Sequence, residues 1–286
     1  VISRALALVA CAGCAAAVRP PASRPTDLGA ELRAVDGLIA GGRFDEADAR
    51  LAGDRAAFDG DEAAQDELAD KQATVRAWRR DYRGAAAIVE ARIAAAARRR
   101  DPTAEYQLWN LQTWVRWGGG DLDGAIAANE NLRRIAGGLA AEDAVEPLAH
   151  YWWDRAYLHV DRAYRLAGPE RARVLAIAED ARRHYVEDIA PRLGPDQGTD
   201  PVHVLDCYIA ERAGDVARAV READQVRETW PDLQDAYILL TAYRLAGDTA
   251  RVDALKARIQ RGSYIMVPIY LQQMERDMRV TVGGDR

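Results

Sequence analysis

The richest run of side chains able to do chemistry is HYWWDRAYLHVDRAYRLAG, residues 150–168. At helical spacing His150, Asp154, Tyr157 and Asp161 fall on one face, and Trp153, Tyr157, Val160 and Tyr164 fall on the face beside it. Such a stripe offers hydrogen-bonding groups next to broad apolar rings, the combination a recognition surface requires. Trp109, Trp114 and Trp117 crowd the segment ahead of it. The candidate partner-binding groove is therefore Trp109, Trp114, Trp117, His150, Trp153, Asp154 and Tyr157. The same rings also suit the gaps that alanine-rich helices leave between them, so groove and core are both open readings.

Other chemistry finds little to build on. Beyond the N-terminal region the one serine is Ser263, with no G-x-S-x-G around it, which argues against serine hydrolysis. Gly118-Gly119-Gly120 leads into DLDGA rather than the Lys-Ser/Thr of a phosphate loop, and reads as a turn. His203 and Cys207 are four apart on a helix that Asp200-Pro201 opens, close enough to touch, yet no third group is placed to orient them. His150, His159, His184 and His203 form no H-E-x-x-H, and the cysteines form no C-x-x-C. The expectation is a protein with no catalytic residue, no metal and no cofactor.

Composition points to helix. Ala, Arg, Leu and Glu dominate, residues that lose little rotamer freedom in a helix, while the β-branched and aromatic runs that strands need are nearly absent. At 286 residues the chain is long enough to bury a sizeable core. Its 39 basic and 45 acidic residues are interspersed, for a formal charge of −6. No basic stripe follows a phosphate backbone, so no nucleic-acid partner is expected.

The chain repeats itself. AYRLAG occurs at residues 163–168 and again at 242–247. Relatives of it are YIAERAGDVARAVR (208–221), LIAGGRFDEADARL (38–51), WRRDYRGAAAIVE (78–90) and WGGGDLDGAIAANE (117–130). Each reads as an amphipathic stretch, a glycine or polar break, then a short polar residue that can cap a second, alanine-rich helix. In AYRLAG, Tyr and Leu are expected to pack inward, Arg to face solvent and Gly to end the turn. The breaks Gly42, Arg80, Gly120, Gly168, Gly214 and Gly247 lie 33 to 48 residues apart, the range of stacked helical hairpins.

This pattern resembles the tetratricopeptide repeat (TPR). The best match is Asp215–Asp248, where GDVARA (214–219) supplies the turn and the small residue Ala219, and Pro231 stands where the family ends a helix. GRFDEA (42–47) places Phe44 and Ala47 similarly, and Trp109 stands where the family's tryptophan would. Most spacings exceed 34, and Arg80 replaces a glycine, so the array is degenerate. The resemblance implies an all-α fold: a right-handed α-solenoid of about six TPR-like hairpins over residues 28–262, with 263–286 as a terminal capping helix and tail. It also implies that first helices line a concave surface, which would hold a protein or peptide partner.

The opening residues resemble a bacterial lipoprotein leader. Arg4 precedes an apolar run ending in Leu8-Val9-Ala10-Cys11, similar to the lipobox, which makes Cys11 the lipidated residue. Cys14 is a second candidate. Residues 1–11 would be the signal-like segment, and 12–27, with RPPASRP, an extended tether. The resemblance implies an outer-membrane lipoprotein facing the periplasm of a Gram-negative bacterium, touching the membrane only through that anchor. Two functions fit: a non-enzymatic adaptor or scaffold, or a periplasmic ligand-binding component associated with a transporter, using the aromatic cluster as a pocket.

Overall fold

The computed structural model describes residues 27–193, 200–226 and 233–261. Cys11, Cys14, the tether up to residue 26, Pro231 and the expected capping helix lie outside the described residues. Within them the fold is all-α, without strands. Its contacts divide it into two compact units, one reaching to Val115 and the other starting at Arg116.

The first unit holds α1 (Leu28–Ala40), α2 (Phe44–Ala57), α3 (Glu62–Trp78), α4 (Tyr82–Arg99) and most of α5 (Pro102–Gly118). Here α1 packs on α2 and also on α3, α2 on α3, and α3 on α4. Val35, Ala47, Leu51, Leu68 and Val75 form one buried cluster, with Phe44 and Trp78 stacked at 6.2 Å. Ala73, Ala85, Val89, Ile93, Ala96, Leu108 and Val115 form a second, against which Trp109 and Leu111 lean.

The second unit contains α6 (Leu122–Ala136), α7 (Val145–Tyr164), α8 (Gly168–His184), α9 (Ala190–Leu193), α10 (Asp200–Ala213), α11 (Val216–Ala223), α12 (Leu233–Leu245) and α13 (Thr249–Arg261). A π-helical turn, Tyr185–Ile189, joins α8 to α9. Helix α7 packs on α6 and α8; α10 packs on α7, α8, α11 and α12; α12 packs on α13. Neighbouring helices thus pair, and α7, α10 and α12 also follow one another in contact.

One turn recipe recurs. All six expected break residues have positive φ: Gly42, Arg80, Gly120, Gly168, Gly214 and Gly247. At Gly247 the left-handed residue lets the Asp248 N–H reach back to the Tyr243 carbonyl (3.0 Å), closing α12. The Asp248 side chain then accepts from the Arg251 N–H (3.0 Å) and starts α13. Asp81, Asp101, Asp121 and Asp215 do the same double work at their turns. Arg80 holds the left-handed conformation without being glycine (φ 65°), as does Arg100 (φ 58°).

The two AYRLAG copies do not behave alike: Leu166 packs against Ala163, Val174 and Leu175 and Tyr243 is partly buried, but the inward packing expected of Tyr164 and Leu245 is corrected. Tyr164 is 65% exposed and Leu245 48% exposed, whereas Ala163 and Ala242 are fully buried. The alanine is the residue that meets the neighbouring helix, and the tyrosine lies 100° further round the axis. Tyr164 therefore leaves the face it was expected to share with Trp153, Tyr157 and Val160; its ring lies instead under the Arg212 guanidinium, 4.6 Å from the centroid. The turns differ because Asp248 follows one copy and Pro169 the other. Proline has no N–H to close the turn, so α7 stops at Tyr164 while α12 runs on to Leu245.

Candidate functional site

The site grows from α7. Its residues 150, 154, 157 and 161 occupy successive turns of one face, and α8, the π-helical turn and α10 supply the groups that meet it. Trp153 lies 5.3 Å from Tyr157 and 4.8 Å from Tyr185, centroid to centroid. Tyr157 lies 6.2 Å from Trp117 and 6.0 Å from Tyr208. These rings form one chain within the second unit, all buried except Trp153, which is partly exposed. Tilted contacts at such distances are favourable for ring quadrupoles.

Two carboxyls sit on this aromatic face and are treated differently. Asp161 accepts from the Trp117 indole N–H at 2.5 Å and from the Tyr208 hydroxyl. Burial pushes its carboxyl up, while these two hydrogen bonds and the nearby Arg212 and Arg165 oppose the rise. Asp154, two turns earlier, is 2% exposed, and its Oδ2 has no hydrogen-bond partner. Burial alone pushes it well above the usual carboxylate range. His150, one turn before Asp154 and partly buried, is pushed down to about 4, chiefly by burial, and so is neutral at pH 7.

Neighbouring groups on α10 extend the buried polar region. Tyr208 is raised well above the ordinary phenol, by burial first and then by Asp161. Glu211 is pushed up to about 8 by burial, and its Oε2 also lacks a partner. The Arg212 guanidinium lies over both Tyr164 (4.6 Å) and Tyr208 (4.9 Å). No family model, curated protein or solved structure matches the chain.

Of the expected groove residues, the second unit brings Trp117, Trp153 and Tyr157 into one ring chain, with Asp154 and His150 on the same helix face. Trp109 and Trp114, both partly buried, are counted with the first unit. Trp109 packs there against the α3–α4–α5 cluster, with its indole N–H buried and unpartnered. Tyr185, Tyr208, Glu211 and Arg212 were missed. Tyr185 arrives through a π-helical turn that breaks the 3.6-residue period. Tyr208 sits in the repeat YIAERAG, but matched on the turn glycines it is Ala210 that aligns with Tyr164, so the repeat does not single Tyr208 out.

The His203–Cys207 pair does not form. His203 Nδ1 meets Glu222 Oε2 at 2.8 Å, and the Cys207 thiol points to Glu211 Oε1 at 3.8 Å. Burial and then Glu211 push the thiol far up, so the nucleophilic thiolate is disfavoured.

Proposed function

We propose that this chain is a non-enzymatic, TPR-like recognition module, a right-handed solenoid of about six hairpins. In this reading it is an adaptor anchored by lipid at Cys11 on the periplasmic side of a Gram-negative outer membrane, and it holds a protein or peptide partner. The observation that carries this is the face of α7: tryptophan and tyrosine rings with carboxyls among them, on a helix that packs against the next hairpin's first helix, α10. Aromatic anchors beside desolvated polar groups are the usual composition of a binding hot spot. The inert setting of Cys207 supports binding over thiol catalysis.

The second reading, a ligand-binding component associated with a transporter, draws on the depth of the same cluster, since Tyr157, Tyr185 and Tyr208 are at most 4% exposed. Crosslinking in the native envelope, with mass-spectrometric identification of what is joined to the chain, separates the two. A protein partner joined through the region of α7 is the expected result; no protein partner would overturn the adaptor in favour of the ligand binder. Mass spectrometry of the membrane-extracted chain is expected to find acylation at Cys11. An unacylated chain free of the membrane would overturn the address.

A further inference from the structure

We infer that the turn edge where α7, α10 and α12 end docks on an anionic phospholipid surface. Tyr164 and Leu245 sit at headgroup level there, and Arg165, Arg212 and Arg244 meet the phosphates. This goes beyond the adaptor reading, which puts membrane contact in the anchor alone, and it does not require acylation at Cys11.

The edge is assembled from three helix ends. Arg212, near the end of α10, lies over Tyr164, the last residue of α7, so those two ends are neighbours. Glu211, beside Arg212, feels the charge of both Arg212 and Arg244, which brings the end of α12 to α10. Asp161 in turn feels Arg212 and Arg165. The three arginines thus form one row, although no stretch of the sequence contains it. Tyr164 and Leu245, from the outer two helices, are the large apolar side chains left exposed among the described residues.

The row keeps its charge. Arg165 and Arg244 are exposed, and neither pairs with an acid among the described residues. Glu211 does not cancel them, because burial pushes it up to about 8 and leaves it neutral at pH 7. The aspartates of the turns are committed: Asp215 caps α11, and Asp248 caps α13 and pairs with Arg251 at 3.4 Å. Glu170, in the first turn of α8, is accompanied by the exposed Arg171 and Arg173. Screening beyond about 8 Å at physiological salt lets this local row act although the chain carries −6 overall.

Tyrosine and leucine exposed beside unpaired arginines suit the boundary between headgroups and acyl chains, where anionic lipids attract the cations. A peptide laid along the edge would need free backbone groups, and several are spent within the turns. The Asp248 N–H donates to the Tyr243 carbonyl, the Gly247 N–H to the Arg244 carbonyl, and the Leu166 carbonyl accepts from Arg171 Nε. A row of point charges on such an edge fits a layer of phosphates.

The full, unacylated chain is mixed with vesicles of phosphatidylcholine, alone or with about one-third phosphatidylglycerol, and the sedimented fraction is measured. Partition into the anionic vesicles is expected to exceed that into the neutral ones at least about tenfold, and the excess to vanish at about 0.5 M salt. Arg165→Gln with Arg244→Gln is expected to lower this ratio about tenfold or more, since each arginine near such a surface is worth about fivefold. Tyr164→Ser with Leu245→Ser is expected to weaken binding to the anionic vesicles about threefold or more. Arg83→Gln with Arg98→Gln, both exposed on α4, makes the same change in net charge and should leave the ratio within about twofold. No preference for anionic vesicles, an unchanged ratio in the edge arginine variant, or an equal loss in the α4 variant overturns the proposal. If one edge variant does not fold, the other decides, and unchanged binding there overturns it. Binding of polyglutamate in place of vesicles also overturns it, and makes the edge a seat for an acidic protein. Envelope crosslinking reads the adaptor separately: a protein partner recovered without vesicle binding removes the lipid contact and leaves the adaptor.

Discussion

Asp66 on α3 and Asp154 on α7 are both buried carboxyls on the first helix of a hairpin, and the two units handle them in opposite ways. Asp66 Oδ1 accepts from Arg92 at 2.6 Å, and its Oδ2 pairs with Arg99, while Glu62 bridges the same two arginines. Every partner comes from α3 or α4, so the pair of helices is stitched by charge across its own interface. Asp154 finds no partner for its buried Oδ2, on a helix whose neighbours offer rings. A buried charge removed from its partners is costly, and a buried acid that never had one is itself the cost. The first unit uses its carboxyl to hold helices together. The second does the same at Asp206, which pairs with Arg182 and Arg218, but leaves Asp154 Oδ2 without a partner, at the expense of stability.

The largest expected effect breaks the stitched side. Asp66→Asn leaves Arg92 and Arg99 facing only Glu62 and should destabilise the chain by about 2–3 kcal/mol, seen as a lower urea midpoint. An unchanged midpoint would mean that the α3–α4 network is ornamental, and the contrast between the units would vanish.

The second effect has the opposite sign. Asp154→Asn should raise stability at pH 7 by about 1–2 kcal/mol. The folded-state value of Asp154 is raised, so its contribution is fully present below the unfolded value and is lost as pH rises through the folded one. The advantage of the asparagine should therefore be absent near pH 3 and grow towards neutrality. Urea titrations at several pH values test this, and a gain independent of pH would refute the assignment.

Glu211 gives a smaller effect of the same sign in a defined window. Its folded value of about 8 against a reference of 4.5 means stability falls as pH rises between those values. Glu211→Gln should flatten that slope, by about 1 kcal/mol over the window once relaxation and water access are allowed for. Parallel melting curves at pH 5 and pH 8 measure it, and an unchanged slope would mean that Glu211 is ionised in the fold.

The smallest effect concerns turns. The first unit places arginine in the left-handed conformation at Arg80 and Arg100, whereas the described turns of the second unit use only glycine there. Arg80→Gly should stabilise by about 0.5–1 kcal/mol, because a side chain in that region costs energy that glycine avoids. A lower melting temperature would show that the Arg80 side chain contributes more than its backbone costs.

Local chemistry made the helical pairs legible. Alanine-rich stretches between a break residue and an aspartate are enough to specify helix, turn and helix, since the left-handed residue and the capping side chain act within six residues of each other. The break positions, including the non-glycine Arg80, were therefore readable from letters alone. So was the shared face of His150, Asp154, Tyr157 and Asp161, because it follows from the helical period. The outward direction of Tyr164 and Leu245 was not readable. Period fixes where a residue lies around its own axis, but only the neighbour's position decides which side is covered.

The same division applies to the site. Sequence by itself determined a helical chain of paired elements and put acids and aromatic rings together on α7. Tertiary structure decided that Tyr185 and Tyr208 complete the ring chain, that Asp161 is satisfied while Asp154 Oδ2 is not, and that His203 turns to Glu222 rather than to Cys207. Several of those outcomes depend on groups far off in the chain: Tyr208 is 47 residues from Asp161, Trp117 is 44 from it, and Glu222 is 19 from His203. Burial and hydrogen bonding are properties of what approaches a residue, and no spacing along α7 encodes what approaches from α8 or α10.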